Sequence, residues 1–233
     1  MKSKVNAIKL WEGPSELDGK PVMVLLTGLT KSSKNTKTGA MLQTWILRSD
    51  VPPHEAVKSG EDASVCGQCP LRPAIFNRGE VSNRSCYVKV FQAPLSTWKA
   101  NRHAQVTSPE VARALVGGRV VRRGSYGDPA AVPSHVWANL SESPGTGYTH
   151  QWRNADLSGR VMASVHTTKE RDQARSLGYR TFRILSAVDE IEKGEILCPA
   201  SKEAGARVQC SDCSLCNGSK PGDKRKNIAI VAH

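Results

Sequence analysis

Seven cysteines fall into two groups, and their spacing is the part of this sequence best suited to chemistry. Cys210-Ser211-Asp212-Cys213-Ser214-Leu215-Cys216 reads C-x2-C-x2-C, with Cys198 upstream and Pro199 directly after it. Three thiolates at this spacing can wrap one corner of a cubane iron–sulfur cluster, and a remote fourth completes the set. A structural four-cysteine zinc site needs the same donors but usually presents them as two separate C-x2-C knuckles. The unbroken run therefore favours a four-iron cluster over zinc on Cys198, Cys210, Cys213 and Cys216.

The other group is Cys66-Gly67-Gln68-Cys69 with Cys86 further on. Three thiolates either recruit a histidine or carboxylate as fourth ligand, or leave an iron open to a small molecule. Radical enzymes that use S-adenosylmethionine exploit such an open iron, although their usual C-x3-C-x2-C spacing is absent here. A single zinc knuckle, a C-x2-C pair beside a free cysteine, and one composite site for all seven thiols are alternative readings of the same residues.

Other catalytic templates fail. There is no G-x4-G-K-[ST] phosphate loop, no H-E-x-x-H, and no deaminase H-x-E followed by P-C-x-x-C. What remains is a row of polar residues where successive strands should end. Residues 20–29 and 41–47 read as two strands able to form a hairpin, and 86–91 alternates like a third. Residues 94–103 form an expected helix, and Ser108-Pro109-Glu110 starts another with a serine cap and proline in the first turn. From Gly118 onward, strands at 119–123, 148–153, 161–166 and 179–185 alternate with helices at 133–143 and after Thr167. Thr167 and Glu170 have the spacing of a capping box, and Gly178 suits the helix end. Such alternation predicts a mostly parallel sheet, whose ligands gather at the carboxyl ends of its strands. Tyr126, Asp128, His150, Gln151, His166 and Arg183 fall there. Asp128 and His150 are candidates for acid–base work, Gln151 and Arg183 for substrate orientation; Asp128 is equally suited simply to cap its turn.

Composition sets the frame around these sites. The chain has 233 residues, 39% of them apolar and 23% charged, which suits one folded domain and excludes a disordered tail. No apolar stretch approaches the roughly 18 residues of a membrane span, and residues 1–6 lead into no signal-peptide core. A cytoplasmic location is expected, where disulfides are rare and clustered cysteines point to metal or redox chemistry. The formal net charge of +12 suits a polyanionic partner, nucleic acid above all. Its densest basic run lies between Lys220 and Lys226.

The sequence resembles an uncharacterised family of cysteine-rich tailed-phage and prophage proteins. The resemblance rests on Lys9-Leu10-Trp11-Glu12-Gly13-Pro14-Ser15, Gln43-Thr44-Trp45-Ile46-Leu47-Arg48, Cys66-Gly67-Gln68-Cys69-Pro70, Cys86-Tyr87-Val88 and the run from Gly124 to Pro133. It continues through Gly147-Tyr148-Thr149-His150-Gln151-Trp152-Arg153 and from Cys198-Pro199-Ala200-Ser201 to Cys216. More distantly, the layout is similar to radical-enzyme-type phage proteins with an N-terminal cysteine trio and a cysteine group before a His-containing end, here residues 228–233. The resemblance implies a phage protein working in the host cytoplasm.

The expected fold is α/β, a mostly parallel sheet that is partly or completely (β/α) barrel-like, with cysteine-rich metal-binding segments at both ends. One domain, 1–233, comprises a strand- and loop-rich part (1–105), β/α units (106–190) and a cysteine-rich segment (191–233). The leading functional expectation is a phage-type metalloenzyme holding an iron–sulfur cluster, with S-adenosylmethionine as a candidate cofactor at Cys66, Cys69 and Cys86. The alternative is a zinc-stabilised nucleic-acid-binding protein without catalysis; a third reading is an inhibitor of a host enzyme.

Overall fold

The computed structural model describes residues 5–73 and 84–232; residues 1–4 and His233, noted above, lie outside that range. Nine strands form one sheet in the order β1-β2-β3-β4-β5-β6-β7-β9-β8. Strands β1 (Ala7–Pro14), β2 (Pro21–Thr27) and β3 (Leu42–Arg48) make an antiparallel meander. From β3 onward every pairing is parallel, through β4 (Val121–Tyr126), β5 (Gly145–Thr149), β6 (Met162–Val165) and β7 (Thr181–Leu185). Strand β9 (Asn227–Val231) follows β7, and the short β8 (Glu195–Leu197) closes that edge.

The apolar run at β2 and its neighbour β3 pair as the expected hairpin, because Val22 to Leu26 are buried on both faces of the sheet. The parallel part also follows expectation, except that the strand expected at 148–153 runs from Gly145 to Thr149, and residues 150–153 turn away from the sheet. The sheet does not close into a barrel: it is open, with β1 and β8 at its two edges. The meander occupies one end and a three-residue strand the other, so neither edge is positioned to pair with its opposite.

Four helices lie between β3 and β4: α1 (Pro53–Ser59), α2 (Ala63–Cys66), α3 (Ala93–Asn101) and α4 (Pro109–Val116). The expected serine cap is present, since Ser108 accepts the Val111 N–H. Residues 86–91, expected as a strand, are not one. Their backbone groups find other partners: Cys86 N–H donates to the Leu71 carbonyl, while the Arg84 guanidinium takes the Cys86 and Val88 carbonyls. The helix after β4 is a short α5 (Ser134–Ala138) rather than 133–143.

Helix α6 (Thr168–Ser176) joins β6 to β7. Thr167 accepts the Glu170 N–H at 3.1 Å, but the Glu170 carboxylate reaches past Thr167 to the His166 N–H at 2.8 Å. Gly178 ends the segment at φ 84, a left-handed conformation that costs glycine little. Crossovers of one hand advancing in one direction place their helices on a single face. On that face α6 buries Ala174 against Ala163, Val165, Trp152 and Tyr179. The alternate residues, Met162, Tyr148, Phe182, Ile228 and Ile230, point the other way. They are covered by the cysteine-rich tail, including α7 (Cys210–Cys213), through Cys198, Ala200, Cys210, Leu215 and Cys216.

Candidate functional site

The four C-terminal cysteines converge on that second face. Cys198 leaves the carboxyl end of β8 with its N–H on the Ala229 carbonyl at 2.8 Å. Cys210 N–H donates to the Lys37 carbonyl and Gln209 Nε2 to the Thr36 carbonyl, both at 2.9 Å, so α7 is docked on the loop before β3. Gly39 is required there, because a Cβ would stand 2.4 Å from Ser211 Oγ. The Cys216 carbonyl accepts Gly147 N–H from β5. Arg180, buried at the start of β7, holds the loop by donating to the Leu215, Asn217 and Lys226 carbonyls.

All seven cysteines are free thiols. Burial pushes the Cys216 thiol up to about 12, although the Tyr148 hydroxyl hydrogen-bonds it; Cys198, Cys210 and Cys213 each push in the same direction as burial. Cys198 and Cys210 are also raised, first by burial, with Lys37 and Arg122 respectively pulling back. Cys198, Cys210 and Cys216 thus share one desolvated pocket beside two cations, with the half-buried Cys213 next to them. The donor chemistry fits a metal centre. As the side chains stand, no three His, Cys, Asp or Glu groups among the described residues are arranged to hold an ion.

The N-terminal trio assembles at the carboxyl end of β4 and β5. Helix α2 delivers Cys66 beneath Asp128, whose N–H donates to the Val65 carbonyl at 2.6 Å. Arg72 fixes the following loop through the Gly67 carbonyl, the Gly60 carbonyl and the buried Asp62 at 2.6 Å. The Leu71 carbonyl then brings in Cys86. Burial, followed by Asp62, Cys69 and Cys86, raises the Cys66 thiol well above its ordinary value; burial takes Cys69 to about 11. Beside them the Tyr126 hydroxyl is buried without a hydrogen-bond partner, and the ring is only 4% exposed. A buried hydroxyl is normally paired, and this one stands beside the cysteine trio with its hydrogen-bonding capacity unused.

The row expected at the strand ends is mostly brought together. Tyr126, Asp128, His150, Gln151 and His166 all stand at the carboxyl edge of β4 to β6. The His150 and His166 rings stack at 5.6 Å, and Gln151 Nε2 donates to the Cys66 carbonyl at 3.3 Å. Burial, then His166, depresses His150 to about 4; burial also lowers His166, so both are neutral at neutral pH. Asp128 is spoken for: Oδ1 accepts Ala130 N–H at 2.9 Å and Oδ2 accepts His150 N–H at 2.7 Å. Arg183 stands apart from the row. Its guanidinium is turned to Glu195 on β8, at 2.6 and 2.8 Å, and to the Glu190 carbonyl.

A cavity of about 750 Å³ opens along the same carboxyl edge. Gln151 lines it, and Tyr126, Asp128, His150 and His166 do not. The walls the sequence did not indicate are Asp18, Gln68, Arg72, His135 and Asp156. Only Gln68, inside the first cysteine motif, carried a signal. Gly67, at φ 55, lets the chain pass Gln151, whose side-chain amide lies 2.6 Å from where a Cβ would stand.

No family model, curated protein or solved structure matches the chain. Among the described residues, no helix is long and apolar enough to cross a membrane.

Proposed function

We propose that the protein is a metalloenzyme of phage type, with a four-iron cluster on Cys198, Cys210, Cys213 and Cys216. The observation that carries this reading is their convergence: Cys198 just after β8 and Cys216 in the loop after α7 are buried beside Cys210 and Cys213 of α7, all four as free thiols on one face of the sheet. Loading requires the thiols to lose protons and turn inward. Because the ligands must be deprotonated, loading releases protons and is favoured by rising pH. The one-directional strand advance from β3 to β7 supports a barrel-like parentage for the sheet that the tail packs against.

Cys66, Cys69 and Cys86 form the reactive site in this reading. The unpartnered Tyr126 hydroxyl and the cavity beside the first cysteine motif, walled by Gly67, Gln68 and Gln151, favour it over an inert zinc knuckle. A cavity of this size suits a small organic molecule, with S-adenosylmethionine as the candidate. Gln151 and Arg72 orient the bound molecule. The neutral His150–His166 pair, at the same strand ends but outside the cavity lining, is the acid–base candidate of this reading.

Purification without oxygen, followed by visible absorption and iron, zinc and acid-labile sulfide analysis of one sample, tests the assignment. Brown protein with iron and sulfide in cluster proportions is expected. Colourless protein with stoichiometric zinc transfers the cysteines to structural sites, and metal-free protein removes both centres.

A further inference from the structure

The amino ends of the parallel strands carry a second set of functional groups, on the edge opposite the cavity described above. Strands β6, β7 and β9 are entered through Arg160, Arg180 and Lys226, and Arg123 of β4 folds down beside the start of β5. A cavity of about 460 Å³ lies there, bounded by Arg123, Arg160, Lys220, Asn217 and the backbone around Gly145 and Gly218. Glycine is needed at both places. A Cβ on Gly145 would stand 2.0 Å from the Val121 carbonyl oxygen and 2.5 Å from an Arg123 terminal nitrogen, and one on Gly218 would meet Arg160 N at 2.3 Å.

Arg123 is 4% exposed and has no carboxylate partner among the described residues. One terminal nitrogen donates to the Leu140 and Ser143 carbonyls at 3.2 and 3.0 Å, while its Nε has no partner, and neither has the Nε of Arg160. Glu142 is on the cavity wall and forms an ion pair with neither. Burying a guanidinium beside a like charge is costly unless an anion compensates. Burial, then Arg160, pulls Arg123 down to about 10, which still leaves it charged at neutral pH. The situation differs from Arg48, Arg72, Arg171 and Arg183, each of which has a carboxylate in contact.

We propose that this cavity is a phosphate site, in which Arg123, Arg160 and Lys220 bind the phosphate of a nucleotide or of a nucleic-acid backbone. Planar guanidinium groups match phosphate oxygens in geometry, and backbone approach at the glycines leaves room for them. Lys220 also belongs to a neighbouring cavity of about 410 Å³ with Arg175, Arg180, Lys224 and Arg225, where Asp223 is the one acidic wall. The two cavities together give consecutive phosphates a continuous basic edge. No cysteine side chain lines either cavity, although Asn217 and Gly218 directly follow Cys216 in the chain.

Calorimetry with pyrophosphate, and fluorescence anisotropy with a labelled single-stranded oligodeoxynucleotide, test the intact chain. Variants are Arg160→Gln and Lys220→Gln, with Lys58→Gln on α1 as a charge-matched control elsewhere. Saturable binding is expected, weakened about tenfold or more by either site variant and unchanged by the control. Thermal melting without ligand, the same in all four proteins, separates lost binding from lost folding. Oligonucleotide binding that pyrophosphate competes away identifies a nucleic-acid backbone as the source; pyrophosphate binding alone identifies a nucleotide or free phosphate. No saturable binding of either probe, or equal weakening by Lys58→Gln, overturns the site.

Discussion

The carboxylate of Asp128 accepts the backbone N–H of His150 at 2.7 Å and so ties the end of β4 to the end of β5. Its other oxygen accepts Ala130 N–H, and burial pushes the acid upward against these bonds and those of Thr149 and Gln151. A residue whose oxygens are taken by the neighbouring turns positions the site and does not move protons in it. Asp128→Asn keeps the shape but turns an amide NH2 toward an N–H donor. One buried donor is then unsatisfied, and a loss of about 1–3 kcal/mol is expected in denaturant unfolding. Unchanged stability would assign Asp128 a purely functional role.

His150 gives a second, pH-dependent signature. Its depressed value, about 4, lies below the 6.5 of an unfolded histidine, so the unfolded chain binds the proton first as pH falls. Stability from this group is complete above pH 6.5, is lost between 6.5 and 4, and is constant below 4. The full difference corresponds to at most about 3 kcal/mol, less what the part-exposed ring recovers from solvent. Thermal melts across that window should fall more steeply for the natural protein than for His150→Gln.

How much of this was readable beforehand depends on whether the signal was local. The strands β2 and β3, the Ser108 cap and Gly178 are legible because the apolar runs and the turn residues that set each lie within a few positions of one another. Strands β8 and β9 are not. Glu195–Leu197 is three residues long, and Asn227–Val231 becomes a strand only because β7 and β8 flank it on both sides. Residues 86–91 show the reverse failure, an alternating pattern whose carbonyls were claimed by Arg84. The strand-end row stands largely together, whereas Arg183 turns away from it to Glu195, on a strand too short for the sequence to reveal.

That pair makes a third prediction. Arg183 and Glu195 are both buried, and Arg171 stands 3.9 Å from the same carboxylate. Removing one member strands a charge, so Arg183→Met should cost about 3–5 kcal/mol. Arg183→Met with Glu195→Leu should recover most of it, because two apolar side chains of similar volume need no partner. Urea unfolding of the two single variants and the double variant measures the coupling. Additive losses would place Arg183 outside the ion pair and return it to the cleft.

The cysteine tail yields the most direct prediction, because it covers the apolar face opposite α6. Phe182, Ile228 and Ile230 depend on the segment carrying Cys198, Cys210 and Cys216. If a metal fixes that segment, its loss uncovers the face, and a chelator should lower the melting temperature and open residues 198–226 to proteolysis. A ligand present at a hundredfold its dissociation constant contributes about 2.7 kcal/mol, and a tightly held metal more. Cys216→Ser should reproduce the chelator's effect and remove the tail's metal while leaving any bound by Cys66, Cys69 and Cys86. Cys69→Ser should do the opposite, sparing the tail. Metal content, melting and cleavage measured on both variants separate two independent centres from a composite one, since a shared site would lose all its metal in either variant.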